Sequence, residues 1–193
     1  MKDIMISIQP QWCELITLGK KKADVRKSRP DTDIPFKAYI YQTKMKWLYS
    51  LLKKAKLFNL AERLQNAMGM VIGEFICDNI SALKAPDVAQ AIFNQAHDTC
   101  VPTKDLTKYA KGKKLYYWHI SNLVIYAEPK PLSNFIIPSK VGCCNEGKCR
   151  GCEYLDKGNG FNVEDDCNAR FNTDEYKPLR KAPQSWCYVE ELK

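Results

Sequence analysis

Apolar and polar residues alternate at the strand period in Met5-Ile6-Ser7-Ile8, and Gln9-Pro10 breaks the run. Trp12, Leu15, Ile16 and Leu18 then recur at helical spacing, with Gly19 where a left-handed cap would end a helix of about two turns. Ala23 to Lys27 reads as a second strand, stopped by Arg29-Pro30 and the turn-rich Asp31-Thr32-Asp33. Lys37 to Thr43 is a third, with Ala38, Ile40 and Tyr41 in a β-branched and aromatic setting.

The period changes over 45–68. Trp47, Leu48, Leu51, Leu52, Ala55, Phe58, Ala61, Leu64 and Met68 mark one helical face opposite Lys46, Lys53, Lys54 and Lys56, with a break expected near Leu57-Phe58-Asn59. Strand character returns over 69–83, followed by helical patterns at 86–96 and 104–110 before the Lys111-Gly112-Lys113 turn. A long strand-like run over 115–127 is expected to bend near Ser121-Asn122. Prolines from Pro129 to Pro138 end regular structure, residues 141–170 form a cysteine- and glycine-rich loop, and Ser185 to Val189 supplies a closing strand. Five or six short strands with helices between them predict an α+β domain built on a small mixed barrel.

A chain of 193 residues with 45% hydrophobic content suits one core, so 1–193 is taken as a single domain in which 45–68 and 141–170 are insertions. No stretch approaches the roughly 18 apolar residues of a membrane span, and the first residues lack the apolar segment of a signal peptide. The expectation is a cytoplasmic protein with no membrane partner. Nine cysteines, an odd number, fit a reducing compartment better than a disulfide scaffold.

The net charge of +8 is uneven: residues 1–142 carry +10 and residues 143–193 carry −2. Much of the excess gathers in Lys20, Lys21, Lys22, Arg26, Lys27 and Arg29, six cations around the single carboxylate of Asp24. At strand period Asp24 and Arg26 share a face, so Asp24 can orient Lys21 or Arg26 while the remaining donors face a polyanion. Trp12, Tyr39, Tyr41, Trp118 and Tyr188 are candidate platforms for unpaired bases; Trp118 is the expected cleft residue, Trp12 is expected to pack inward, and His119 is read as structural.

The stretch Ile6-Ser7-Ile8-Gln9-Pro10-Gln11-Trp12, followed by Gly19-Lys20-Lys21-Lys22-Ala23-Asp24-Val25-Arg26-Lys27, resembles the ASCH family of the PUA-like superfamily. The family's signature, G-x-K-x-x-E-x-R, joins a helix to a strand beside a cleft. Gly19, Lys21 and Arg26 match it, and Asp24 stands for the glutamate with the same charge and a shorter reach. Val71-Ile72-Gly73-Glu74-Phe75, Tyr117-Trp118-His119-Ile120 and Gln184-Ser185-Trp186-Cys187-Tyr188-Val189 extend the resemblance over about residues 4–43, 69–132 and 184–191. It implies a PUA-like β-barrel presenting a basic cleft to single-stranded or modified RNA, with single-stranded DNA as the other nucleic-acid partner.

Some relatives in that family are amidohydrolases of acetylated cytidine that use a lysine, a threonine and a glutamate, and others are ribonucleases. Here Lys21 matches the lysine, while Asp24 occupies the threonine position, so that nucleophile is absent. The enzyme alternative therefore rests on Lys21, Asp24 and Glu74 as a hydrolytic set for a modified nucleoside, and binding is the favoured reading. A third reading makes 45–68 a docking element for a protein partner whose identity the sequence does not supply.

Cys143, Cys144, Cys149, Cys152 and Cys167 fall within twenty-five residues, and Cys149-Arg150-Gly151-Cys152 forms a C-x-x-C knuckle. Four thiolates make a tetrahedral zinc site, so Cys149, Cys152, Cys167 and one of Cys143 or Cys144 are expected to hold a structural zinc; spacing alone leaves iron open. Cys13, Cys77, Cys100 and Cys187 are expected to be buried thiols. Elemental analysis of protein purified without added metal should find about one zinc per chain. Finding none, with all five clustered thiols titratable in the folded protein, counts against the site.

Overall fold

A computed structural model of the chain describes residues 3–83, 98–137 and 178–192. The first strand, β1 (Asp3–Ile8), sends Ile4, Ile6 and Ile8 to one face and Met5 to the other, and all four are buried. A strand apolar on both faces belongs inside a sheet. It pairs in parallel with β3 (Phe36–Gln42), through Ile4 opposite Ala38 and Ile6 opposite Ile40, and antiparallel with β9 (Trp186–Glu191), through Met5 opposite Cys187.

The crossover that a parallel pair requires is supplied by α1 (Pro10–Thr17) and β2 (Ala23–Arg26). Pro10 opens α1, where its missing N–H costs nothing. Gly19, at φ +67°, turns the chain so that the Lys20 and Lys21 amides both donate to the Leu15 carbonyl, satisfying the end of the helix. The sequence thus places both the helix and its stop correctly.

β4 (Val71–Cys77) and β7 (Ser121–Lys130) extend one side of the sheet, and β8 (Phe135–Ile136) ends the other, giving the order β7-β4-β3-β1-β9-β8. A second sheet sets β6 (Leu115–His119) between β2 and β5 (Ile80–Leu83). The α+β class is as expected, but the described strands form two sheets and do not close into a continuous hydrogen-bonded barrel. The bend expected near Ser121-Asn122 is found at the start of β7, just after the break from β6 at Ile120, with Asn122 at φ +46°. Regular structure outlasts Pro129, because β7 is an edge strand on which proline's missing donor faces no partner.

The 45–68 segment is two helices, α2 (Lys46–Lys54) and α3 (Phe58–Ala67). The break falls slightly earlier than expected, at Ala55–Leu57, where Lys56 takes φ +58°. The fourth described helix, α4 (Thr103–Ala110), ends at Lys111 in the left-handed region. The helix expected at 86–96 and the cysteine loop at 141–170 lie outside the described residues.

One core lies between α1, the inner face of the six-stranded sheet and Trp118 of β6; its centre is Ile4, Ile6, Ile16, Phe36, Ile40 and Phe75. A second fills the opposite face with Met5, Tyr39, Tyr41, Phe135, Leu179 and Val189. A third, smaller one seats Leu106 and Ala110 of α4 against Leu115 and Tyr117. Cys13 and Cys77 are buried as expected, while Cys100 and Cys187 are only partly covered. Burial pushes the Cys77 thiol up to about 12, which keeps it protonated and unreactive. Among the described residues no helix is long and apolar enough to cross a membrane.

Gly73 lies where β4 and β7 approach closely beside a register shift, and a Cβ there would come within 2.3 Å of the Val124 carbonyl oxygen. Backbone cannot swing aside as a side chain would. Gly73→Ala should therefore lower stability by about 1–3 kcal/mol, read as a fall in the urea midpoint with the slope unchanged.

Candidate functional site

The end of β1, the first turn of α1, β2 and α4 surround a cleft of about 390 Å³. Ser7, Ile8, Gln9 and Trp12 line it, with Thr43 after β3 and Gln184 before β9 at the margin. The apolar side of α4 packs inward through Leu106 and Ala110, which leaves Asp105 and Tyr109, one turn apart, on the cleft.

Lys21, Asp24 and Arg26 lie together at its base. All three are nearly excluded from solvent, at 2%, 5% and 8% exposure. Lys21 Nζ donates to the Thr99 carbonyl at 2.8 Å, stands 3.4 Å from Asp24 Oδ1 and lies 5.5 Å from the centre of the Trp12 ring. Arg26 Nε donates to Asp24 Oδ2 at 2.7 Å. The same guanidinium donates to the Ser7 carbonyl at 2.8 Å and to the carbonyl and Oγ of Ser185 at 3.2 and 3.3 Å. The expectation that Asp24 orients Lys21 or Arg26 is exceeded, since it holds both.

Burial works against the Asp24 carboxylate, but the Arg26 and Lys21 charges and their hydrogen bonds outweigh it, and its pKa lies below the ordinary 3.8. Burial pulls the Lys21 ammonium below its ordinary value, with Asp24 opposing the shift. Both Asp24 oxygens are engaged, so this carboxylate is committed to Lys21 and Arg26 rather than free to take a proton from water.

The basic cluster divides into two sets. Lys21 and Arg26, expected to face a polyanion, turn inward because Asp24 and three backbone carbonyls consume their donors. Lys20, Lys22, Lys27 and Arg29 are exposed, and Lys27 Nζ stands 4.5 Å over the Tyr109 ring. Inside the cleft, Lys21 and Arg26 meet Asp24 and Asp105, so its formal charge balances.

Of the two tryptophans, Trp118 is not the cleft residue it was expected to be, whereas Trp12 packs against the core as expected and also lines the cleft. Trp118 is fully buried, edge-on to Phe36 at 5.5 Å and tilted against Trp186 at 5.9 Å, because β6 presents that face to the core. Trp12 is the tryptophan that lines the cleft. Tyr39 and Tyr41 are also buried, and the Tyr188 hydroxyl accepts the Asp31 amide at 2.8 Å. His119 is half exposed and bonded through Nδ1 to Asp78 at 2.6 Å.

Glu74 does not join Lys21 and Asp24. It shares the outer face of the large sheet with its cross-strand neighbour Tyr39, where Lys37 stands 3.3 Å away and the Tyr126 hydroxyl donates to it. Strand parity separates it from the cleft: Phe75 and Cys77 point to the α1 side, and Glu74 points away. On that outer face Tyr39 donates to Asp3 and Glu191, and Lys130 pairs with Glu191. Among the described residues no group of three or more histidines, cysteines or carboxylates could hold a metal, and the five clustered cysteines lie outside them.

Sequence reasoning missed Tyr109, Asp105, Thr43 and Gln184. Tyr109 was within reach, since it follows Leu106 and precedes Ala110 on a helix whose apolar side must pack, and that leaves its own side facing elsewhere.

The fold is that of an ASCH domain. Three solved structures of the ASCH protein of Zymomonas mobilis, the unmutated protein and two single-site mutants, superpose with a TM-score of 0.50 at 16–17% sequence identity. They cover 68% of this chain and 74–77% of theirs. No protein-family model matches the chain, and no curated protein matches it.

Asp24→Asn leaves two buried cations facing a neutral amide and should cost about 3–5 kcal/mol at neutral pH. A carboxyl with a depressed folded pKa stabilises above its unfolded value and loses that contribution as pH falls through the folded one. Below pH 3.8, therefore, wild-type stability should fall more steeply than that of the variant. Parallel acid limbs in urea titrations would contradict the ionised Asp24.

Proposed function

We propose that the protein binds single-stranded RNA by taking one unpaired base into the cleft while exposed cations at its rim hold the flanking phosphates. The observation that carries this reading is the division of charge. The cleft is balanced and flanked by Trp12 and Tyr109, whereas Lys20, Lys22, Lys27 and Arg29 stand outside it. A volume of about 390 Å³ suits a nucleoside-sized group rather than a folded helix. Rings supply stacking faces, and Gln9, Thr43, Asp105 and Gln184 supply donors and acceptors for a base edge. Asp105 would repel a phosphate, which favours a base in its place.

Binding is preferred to hydrolysis because Asp24 spends both oxygens on Lys21 and Arg26, and Glu74 lies on the other face of the sheet. Lys21 and Arg26 then act as the rigid floor of the reader. The structural zinc proposed for Cys149, Cys152, Cys167 and one of Cys143 or Cys144 concerns residues outside the described ones and enters no step of this reading.

Filter binding of a single-stranded RNA at several salt concentrations tests the reading. Each phosphate neutralised contributes about −0.7 to the slope of log affinity against log salt. Replacing Lys20, Lys22 and Lys27 together by glutamine should make the slope shallower by about two. Trp12→Ala should weaken binding roughly fivefold to a hundredfold with the slope unchanged. A flat salt response in the wild type, or wild-type affinity in Trp12→Ala, would sink the proposal.

A further inference from the structure

The α2–α3 hairpin has a surface that the cleft does not explain. α3 is seated on the body of the protein: Ala61 and Leu64 are buried, and Gln42 Nε2 donates to the Leu64 carbonyl at 3.0 Å. α2 is much less covered. Trp47 is 63% exposed and Leu51, one turn along the same face, 53%, with Lys54 continuing the stripe. At the connection Leu57 is 50% and Phe58 59% exposed, beside the exposed Lys53 and Lys56. Residues 44–67 hold six basic side chains and one acidic one.

We infer that this face holds the length of single-stranded nucleic acid that leads out of the cleft. The inference rests on the base-binding reading above. Continuity supports it, because Thr43 lines the cleft and α2 begins at Lys46, so the hairpin starts at the cleft margin. Nine residues at about 1.5 Å each carry α2 roughly 13 Å onward. Trp47 and Phe58 stand toward opposite ends of that length, with Lys53, Lys54 and Lys56 between them in sequence. Rings spaced along a basic track match alternating bases and phosphates. A bilayer contact would instead gather its apolar groups at one depth beneath a basic collar. A second copy of the chain is opposed by charge, since two such segments would bring five net positive charges against five.

Fluorescence anisotropy with a trinucleotide and a twelve-nucleotide RNA of uniform sequence separates the two surfaces. The combined variant Lys53→Gln, Lys54→Gln, Lys56→Gln should bind the trinucleotide as the wild type does. It should lose about tenfold in affinity for the twelve-mer near 0.1 M salt, with a salt slope shallower by about two. Trp47→Ala, at a position more than half exposed, should lose about fivefold or more on the twelve-mer alone. Unchanged twelve-mer affinity and slope in both variants, with Trp12→Ala still impaired, overturns the hairpin surface and leaves the cleft reading intact. A wild type that binds neither RNA overturns both. Adsorption of the wild type to anionic phosphatidylserine vesicles, lost in the triple-glutamine variant while twelve-mer affinity is unaffected, assigns the face to lipid instead and overturns the inference.

Discussion

Everything at the cleft depends on Asp24, a carboxylate at 5% exposure that holds two cations from opposite sides. A buried ion pair gains little net stability over an apolar substitute, but it becomes costly once one partner is lost. Its value here is positional. Through Arg26 the carboxylate ties β2 to the carbonyl of Ser7 at the end of β1 and, 159 residues further along the chain from Arg26, to Ser185 just before β9. Through Lys21 it reaches the Thr99 carbonyl, on the approach to α4. Three walls of the cleft are thus registered against one side chain.

Because those cations are consumed internally, the protein's excess positive charge works elsewhere. A basic sequence cluster suggests a basic cleft, and the fold gives instead a charge-balanced cleft with Lys20, Lys22, Lys27 and Arg29 exposed outside its lining. Under the proposed reading, long-range attraction would come from those exposed cations and selection from the cleft, where a ligand group left unpaired would be costly.

The fold was legible where local signals agree with tertiary demands. The Gly19 stop, the shared face of Asp24 and Arg26, and the bend at Asn122 each follow from a short stretch of chain. The failures are about which neighbour a face meets. Trp118 reads in the sequence as the cleft residue; only the packing of β6 on Phe36 and Trp186 buries it and leaves Trp12 lining the cleft. Glu74 looks like a partner for Lys21 until strand parity puts it with Tyr39 and Lys37 on the far face. The split of 45–68 was foreseen to within a few residues, since the apolar stripe slips phase there, whereas the exposure of Trp47 and Leu51 was not, because an amphipathic pattern does not say whether its apolar face is covered.

β1 lies inside the large sheet between β3, which follows it closely, and β9, which is separated from it by nearly the whole described chain. The consequence is felt during synthesis. At about 5–20 residues per second a ribosome needs on the order of ten to forty seconds to pass from the first of these strands to the last. Throughout that interval one edge of Ile4, Met5 and Ile6 has its backbone groups unpaired, an open template for any extended segment nearby. The nascent chain therefore carries a hazard of misassociation at a strand that is apolar on both faces, and the arrival of Trp186–Glu191 closes it.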